Sequence, residues 1–188
     1  MKRDTQLARD TWIALRCKLG DPQGFRDLVA ELELPLLYYV TKLIGDADLA
    51  LDVLQGVWTR VFRTVRNLRE PAALRTWVYR IARGLALNRV RSETTRQNAE
   101  QAAAAVQEVG QDSNPQFDAE DIEALHAALD ELDEKHREVL VLHFLEDLSI
   151  GEIAEIVGVP AGTVKSRIHY AKRAIERQLK EGNHGSQR

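Results

Sequence analysis

Nine arginines and a single glutamate fall between residues 57 and 91, and five of those arginines share "RTWVYRIARGLALNRVR", residues 75–91, with Trp77 and Tyr79. Guanidinium groups at this density suit one kind of chemistry. They hold phosphates in charge-assisted pairs, and their planes stack on unpaired bases. On a helix, at about 100° per residue, Trp77, Ile81 and Leu85 share one stripe while Arg75, Tyr79 and Arg83 point the other way. Trp77 therefore reads as core, and Arg75, Arg80 and Arg83 read as phosphate-facing. Tyr79 is open between packing and nucleic acid.

A second cluster lies in "LSIGEIAEIVGVPAGTVKSRIHYAKRAIERQL". Ser149 and Glu152 form a capping-box pattern that opens a short helix, and Gly158 supplies the turn that ends it. In the helix that follows, Val164, Ile168, Ala171 and Ile175 make an apolar stripe. Gly162, Ser166, His169, Tyr170, Arg173 and Arg177 make a polar, basic face opposite. A helix-turn-helix uses this layout to set small polar side chains on base edges and Lys or Arg on phosphates. The plainer alternative is an αα-hairpin with a solvated basic face.

Catalytic and metal chemistry finds no comparable support. The histidines at 126, 136, 143, 169 and 184 show no ligand spacing with Cys17, and no P-loop, dinucleotide fingerprint or nucleophile elbow is present. A non-enzyme without cofactor or metal is expected. The single cysteine excludes an internal disulfide framework. The chain has neither a signal-type leader nor an apolar run approaching the ~18–20 residues of a membrane span, so a soluble cytoplasmic protein without membrane insertion is expected.

The elements that must position these clusters are helical. Apolar residues recur at helical spacing across most of the 188 residues, with no period-2 strand signal, which predicts an all-α fold of two small helical domains. Asp21-Pro22 opens a helix toward Ile44 with a kink near Pro35, another runs from Gly45 toward Asn67, and Pro71 breaks the chain before the arginine-rich helix. Net charge is −3, but residues 1–91 carry +6, residues 92–134 carry −11 and residues 135–188 carry +2. Two modules that meet polyanions, on an acidic tether, are expected. The boundaries are 1–91 (body from about 25), a flexible linker over 92–118, a second domain over 119–180 and a disordered tail over 181–188.

Taken together, "LSIGEIAEIVGVPAGTVKSRIHYAKRAI" and the preceding "LDELDEKHREVLVLHFLED" resemble region 4 of bacterial sigma-70 family sigma factors. "DVLQGVWTRVF" and "RTWVYRIARGLALNRVR" are similar to region 2. The spacing resembles the extracytoplasmic-function (ECF) group, whose members lack regions 1.1 and 3. The resemblance implies a sigma factor that binds core RNA polymerase through its β′ clamp and β subunits, recognises promoter DNA at the −35 and −10 elements and promotes strand opening. An anti-sigma factor would be a further partner.

By that resemblance, Asp52, Gln55 and Trp58 dock on the polymerase, with Gly56 standing where the family carries an acidic residue. Asn67, Arg69, Arg75, Tyr79, Arg80 and Arg83 meet the −10 element, base capture lying in the loop 67–73, and Gly84 and Asn88 replace the family's Asn and Asp. Thr163, Lys165, Ser166, Arg167, His169, Tyr170 and Arg173 meet the −35 element, Tyr170 replacing an arginine. The acidic linker would run through the RNA exit path as an RNA mimic, or be a solvated tether. A stand-alone helix-turn-helix regulator would account for 119–180 but not the first block, and a degenerate sigma-like interaction protein rests on Gly56 alone.

Overall fold

The computed structural model describes residues 2–101, 129 and 131–185, and every regular element among them is helical. Helix α1 spans Lys2–Lys18, α2 Pro22–Ile44, α3 Ala47–Thr64 and α4 Leu74–Gln101. Two 3₁₀ turns, Val65–Asn67 and Pro71–Ala73, connect α3 to α4. Then come α5 (Glu134–Leu140), a π turn (Val141–Leu145), α6 (Ile150–Val157) and α7 (Ala161–Gly185).

Local chemistry accounts for these boundaries. Asp21 caps α2 by accepting from the Gln23 N–H, with Pro22 at the first helical position, and Gly45 ends the helix. Pro35 lies inside α2, which continues past it. Asp46 caps α3 by accepting from the Leu49 N–H. Glu70 and Pro71 break the chain as expected, and Lys18 Nζ donates to the Leu68 carbonyl at 2.7 Å, tying the broken segment to α1.

The core follows from helical periodicity. Leu28, Leu32, Leu36 and Val40 of α2 meet Val53, Val57 and Val61 of α3 and Leu74, Val78, Ala82 and Ala86 of α4, all buried. Each such Leu or Val stabilises the fold by about 1.5–3 kcal/mol relative to exposure. Helix α1 was not anticipated. It buries Ile13, Ala14 and Cys17, and burial pushes the Cys17 thiol up to about 11. Gly24 permits the close approach of α1 and α2, because a Cβ there would stand 2.6 Å from Arg16 Cβ.

Three expectations about organisation change. Helix α4 continues to Gln101, beyond the boundary at 91, because nothing in "SETTRQNAEQ" stops a helix. Helix α7 continues to Gly185, into the segment expected to be a disordered tail. The rest of the acidic linker and the start of the second domain lie outside the described residues. The two modules are packed together, with α4 against α6 and α2 against α5, and Leu132, Val139, Leu142 and Ile153 belong to the same buried cluster as Leu36 and Val78.

Candidate nucleic-acid interface

The helix-turn-helix is built as its sequence dictates. Ser149 Oγ accepts from the Glu152 N–H while Glu152 accepts from the Ser149 N–H at 2.7 Å, a reciprocal capping box. Gly158 ends α6 at φ +70°, a left-handed conformation that a side chain would strain. Val164, Ile168 and Ala171 of α7 are buried, which turns the opposite face outward. Lys165, Ser166, His169, Tyr170 and Arg173 are exposed on that face, and Thr163 and Arg167 are half-buried beside it. Ser166 Oγ donates to the Thr163 carbonyl at 2.9 Å, which leaves its lone pairs for a base edge. The Tyr170 ring lies 5.8 Å from that of His169 and 6.4 Å from that of His136. His136 lies on α5, and only the packing of α5 against α7 brings it beside Tyr170.

The proposed docking residues sit on α3. Asp52 and Gln55 are exposed, as is Gly56 between buried Val53 and Val57. Trp58 is half-buried, edge-on to Phe25 at 6.3 Å, and its Nε1 is enclosed. Its ring therefore belongs to the edge of the core more than to an open surface. Leu51 and Phe62, exposed on the same helix, are the apolar surface beside Asp52 and Gln55. Their exposure is invisible to a periodicity argument that assigns apolar residues to the core.

The arginine-rich helix divides differently from its expected faces. Asn67, Arg69 and Arg80 are exposed, and Gly84, Asn88 and Arg91 continue the exposed stripe of Arg80 along α4. Trp77 packs against the core as read. Tyr79 is buried and Arg75 and Arg83 are half-buried and paired with carboxylates of this chain, which corrects the expectation that these two arginines point to phosphate, whereas Arg80 stays exposed. Arg75 Nε donates to Asp10 of α1 at 3.1 Å and its guanidinium lies 3.8 Å from Glu146. Arg83 Nε donates to Glu138 at 2.7 Å. Tyr79 is fully buried and its hydroxyl donates to Glu146. The physical reason is that Asp10 of α1 and two carboxylates of the C-terminal module, Glu138 and Glu146, meet this edge of α4.

The electrostatics of that edge favour neutral tyrosines. Burial, reinforced by Glu146, pushes the Tyr79 phenol well above its ordinary range, and burial with Glu138 does the same to Tyr39. Burial also raises Glu146, opposed by the Tyr79 hydroxyl and by Arg75. Among the described residues no cluster of His, Cys, Asp or Glu is arranged to hold a metal ion, and no helix is long and apolar enough to cross a membrane. What the exposed faces of α4 and α7 can do is hold phosphates and read base edges.

The chain is similar to known proteins over both parts. The family model described as "Sigma-70 region 2" matches residues 28–96, and the one described as "Sigma-70, region 4" matches residues 122–175. Over 181 residues the chain is 30% identical to the RNA polymerase sigma-H factor of Pseudomonas aeruginosa, covering 91% of this chain and 94% of that protein. It is 28% identical over 174 residues to the ECF RNA polymerase sigma factor SigW of Bacillus subtilis, covering 87% of this chain and 93% of that one. A solved complex of the sigma factor RpoE with the anti-sigma factor NepR from Bartonella quintana shares the fold, at a TM-score of 0.68 and 23% identity over 82% of this chain and 98% of that one.

Proposed function

Because the chain belongs to the sigma-70 family of RNA polymerase sigma factors, in its extracytoplasmic-function group, we propose the following assignment of its surfaces. The N-terminal module, residues 1–91, docks on core polymerase and handles the −10 element. The C-terminal module, residues 119–180, reads the −35 element, with the acidic segment 92–118 between them.

The outward face of α7 carries this reading. A capping box, a left-handed glycine and a buried Val164–Ile168–Ala171 stripe leave Lys165, Ser166, His169, Tyr170 and Arg173 exposed together. Lys165 and Arg173 supply phosphate contacts that set register, and Ser166 and His169 reach base edges. Tyr170 can touch a thymine methyl but cannot make the bidentate bond of an arginine to guanine, so it biases the −35 sequence away from guanine at its position.

Asp52 and Gln55, with Leu51 and Phe62 beside them, form the polymerase-docking surface on α3. Asn67, Arg69 and Arg80 meet the −10 strand. The chemistry of transcription belongs to the polymerase core, and this chain supplies promoter recognition and strand separation in the cytoplasm. An anti-sigma factor is a proposed third partner, as in the solved RpoE–NepR complex.

Run-off transcription with bacterial core polymerase on the DNA upstream of this protein's own gene tests the assignment. A discrete start site that depends on added protein is expected. Its absence across a promoter library, with a polymerase shown to be competent, would refute it.

A further inference from the structure

Tyr170 is 61% exposed on the outward face of α7, where an aromatic side chain swings between rotamers unless something holds it. Two rings meet it. That of His169, the preceding residue, lies 5.8 Å away at 69°, and that of His136 lies 6.4 Å away at 58°, both within the range of about 4.5–7 Å over which tilted and edge-on rings attract. The two differ in what anchors them. His169 is exposed and travels with α7. His136 is half-buried on α5, a helix fixed by buried Val139 and Leu140 and by Arg137 Nη2, which donates to the Leu132 carbonyl at 3.0 Å. His136 Nδ1 stands 3.8 Å from Asp133 Oδ2, too far for a hydrogen bond, so its ring is presented to Tyr170 as a surface. Both residues belong to the C-terminal module, so their contact does not depend on how that module sits against α4.

An arginine at this position would need no such support, because its planar fork of donors matches guanine by its own geometry. A phenol has no fork. Its discrimination rests on apolar contact with a thymine methyl, and dispersion falls away within an ångström of the optimal separation. We infer that His136 is a specificity-determining residue for −35 recognition: from α5 its ring positions Tyr170 over one base pair, so that a buttressed aromatic contact selective for thymine stands in place of an arginine fork. This rests on the reading of α7 as the −35 helix and names a residue outside that helix which sets its sequence preference. His136 acts through Tyr170 and touches no phosphate. Without it, Tyr170 regains rotamers that the thymine contact must freeze, and selectivity at that base pair falls by about two- to tenfold.

The test uses the full chain with core polymerase and a promoter library randomised across the −35 element, the bound fraction being sequenced. Tyr170→Ala locates the base pair, as the position whose preference it flattens. His136→Ala should lower thymine preference at that same position by about two- to tenfold. The other −35 positions and the slope of log affinity against log salt should not move. His136→Phe keeps a ring and should retain the preference. In a Tyr170→Arg background the preference should pass to guanine, and His136→Ala should then change nothing, so the two substitutions are coupled. General damage to α5 would weaken both backgrounds alike.

A shift with Tyr170→Ala but none with His136→Ala would overturn the role of His136 and leave the reading of α7 standing. A uniform loss with a shallower salt slope would also overturn it, by making His136 a phosphate contact. So would an equal effect of His136→Ala in the parent and in the Tyr170→Arg background, or a His136→Phe variant as unselective as His136→Ala. A parent holoenzyme with no preference at any −35 position would remove the reading of α7, and the assignment of His136 with it.

Discussion

Replacing Arg75 with alanine discriminates between two placements of one residue. On a solvated phosphate-binding face the change would move stability by no more than about 0.5 kcal/mol. In the structure the Arg75 side chain is 14% exposed and faces three carboxylates: Asp10 at 3.1 Å, Glu146 at 3.8 Å and Glu31 at 3.9 Å. Asp10 also accepts from Gln6 at 2.9 Å, but an amide does not balance its charge. Removing the guanidinium leaves acidic groups together in a poorly solvated patch, and breaking a buried pair from one side costs about 3–5 kcal/mol.

Urea unfolding followed by circular dichroism measures this difference, with an unchanged slope showing that the same surface is exposed on unfolding. The deficit should also depend on pH, in a direction that follows from Glu146. Burial already raises its carboxyl, Arg75 pulls it back down, and the variant lacks that pull. A carboxyl whose folded pKa exceeds its unfolded one contributes stability that is fully present below the unfolded value and lost as pH rises through the folded one. The deficit therefore narrows as pH is lowered from neutral through the raised Glu146 range. A loss under about 0.5 kcal/mol at neutral pH would refute the buried placement of Arg75.

Asp52→Ala with Gln55→Ala should weaken capture of core polymerase in a pull-down while leaving urea stability unchanged, since both side chains are exposed on α3; retained capture would remove that docking surface. Lys165→Ala and Arg173→Ala should each weaken promoter binding across sequences and reduce the slope of log affinity against log salt by about 1, whereas Ser166→Ala and His169→Ala should shift preference at single −35 positions in a promoter library. A uniform loss for the latter pair would count against their base-reading role. Ser149→Ala should cost about 0.5–2 kcal/mol of stability through loss of the α6 cap, measured by the same urea titration, and Ser149→Asp should recover most of it.

The sequence by itself determined whatever depends on near neighbours. Ser149 with Glu152, Gly158, Asp21 with Pro22, and the break at Pro71 act over a turn or less of chain, so residue types at fixed short spacing specify them. The buried stripe of α7 was legible for the same reason, and with it the exposed Lys165–Arg173 face, because a helix with one apolar side leaves no choice of face. Helix α1 was harder to read: its charges are scattered through "MKRDTQLARDTWIALRCKLG", and Trp12, Leu15 and Leu19 stay exposed while Ile13, Ala14 and Cys17 go inward.

Only the tertiary structure decided what α4 does with its arginines. Periodicity shows that Arg75, Tyr79 and Arg83 share a side, but not what stands opposite, and their partners Glu138 and Glu146 are 55 to 71 residues away across an acidic connector. The π turn that aligns those carboxylates has no residue signature of its own, since Val141–Leu145 reads as ordinary helix. A guanidinium pairs as readily with a carboxylate of the same chain as with a phosphate, so residue type could not choose between them. Packing of α6 onto α4, through contacts distant in sequence, made the choice.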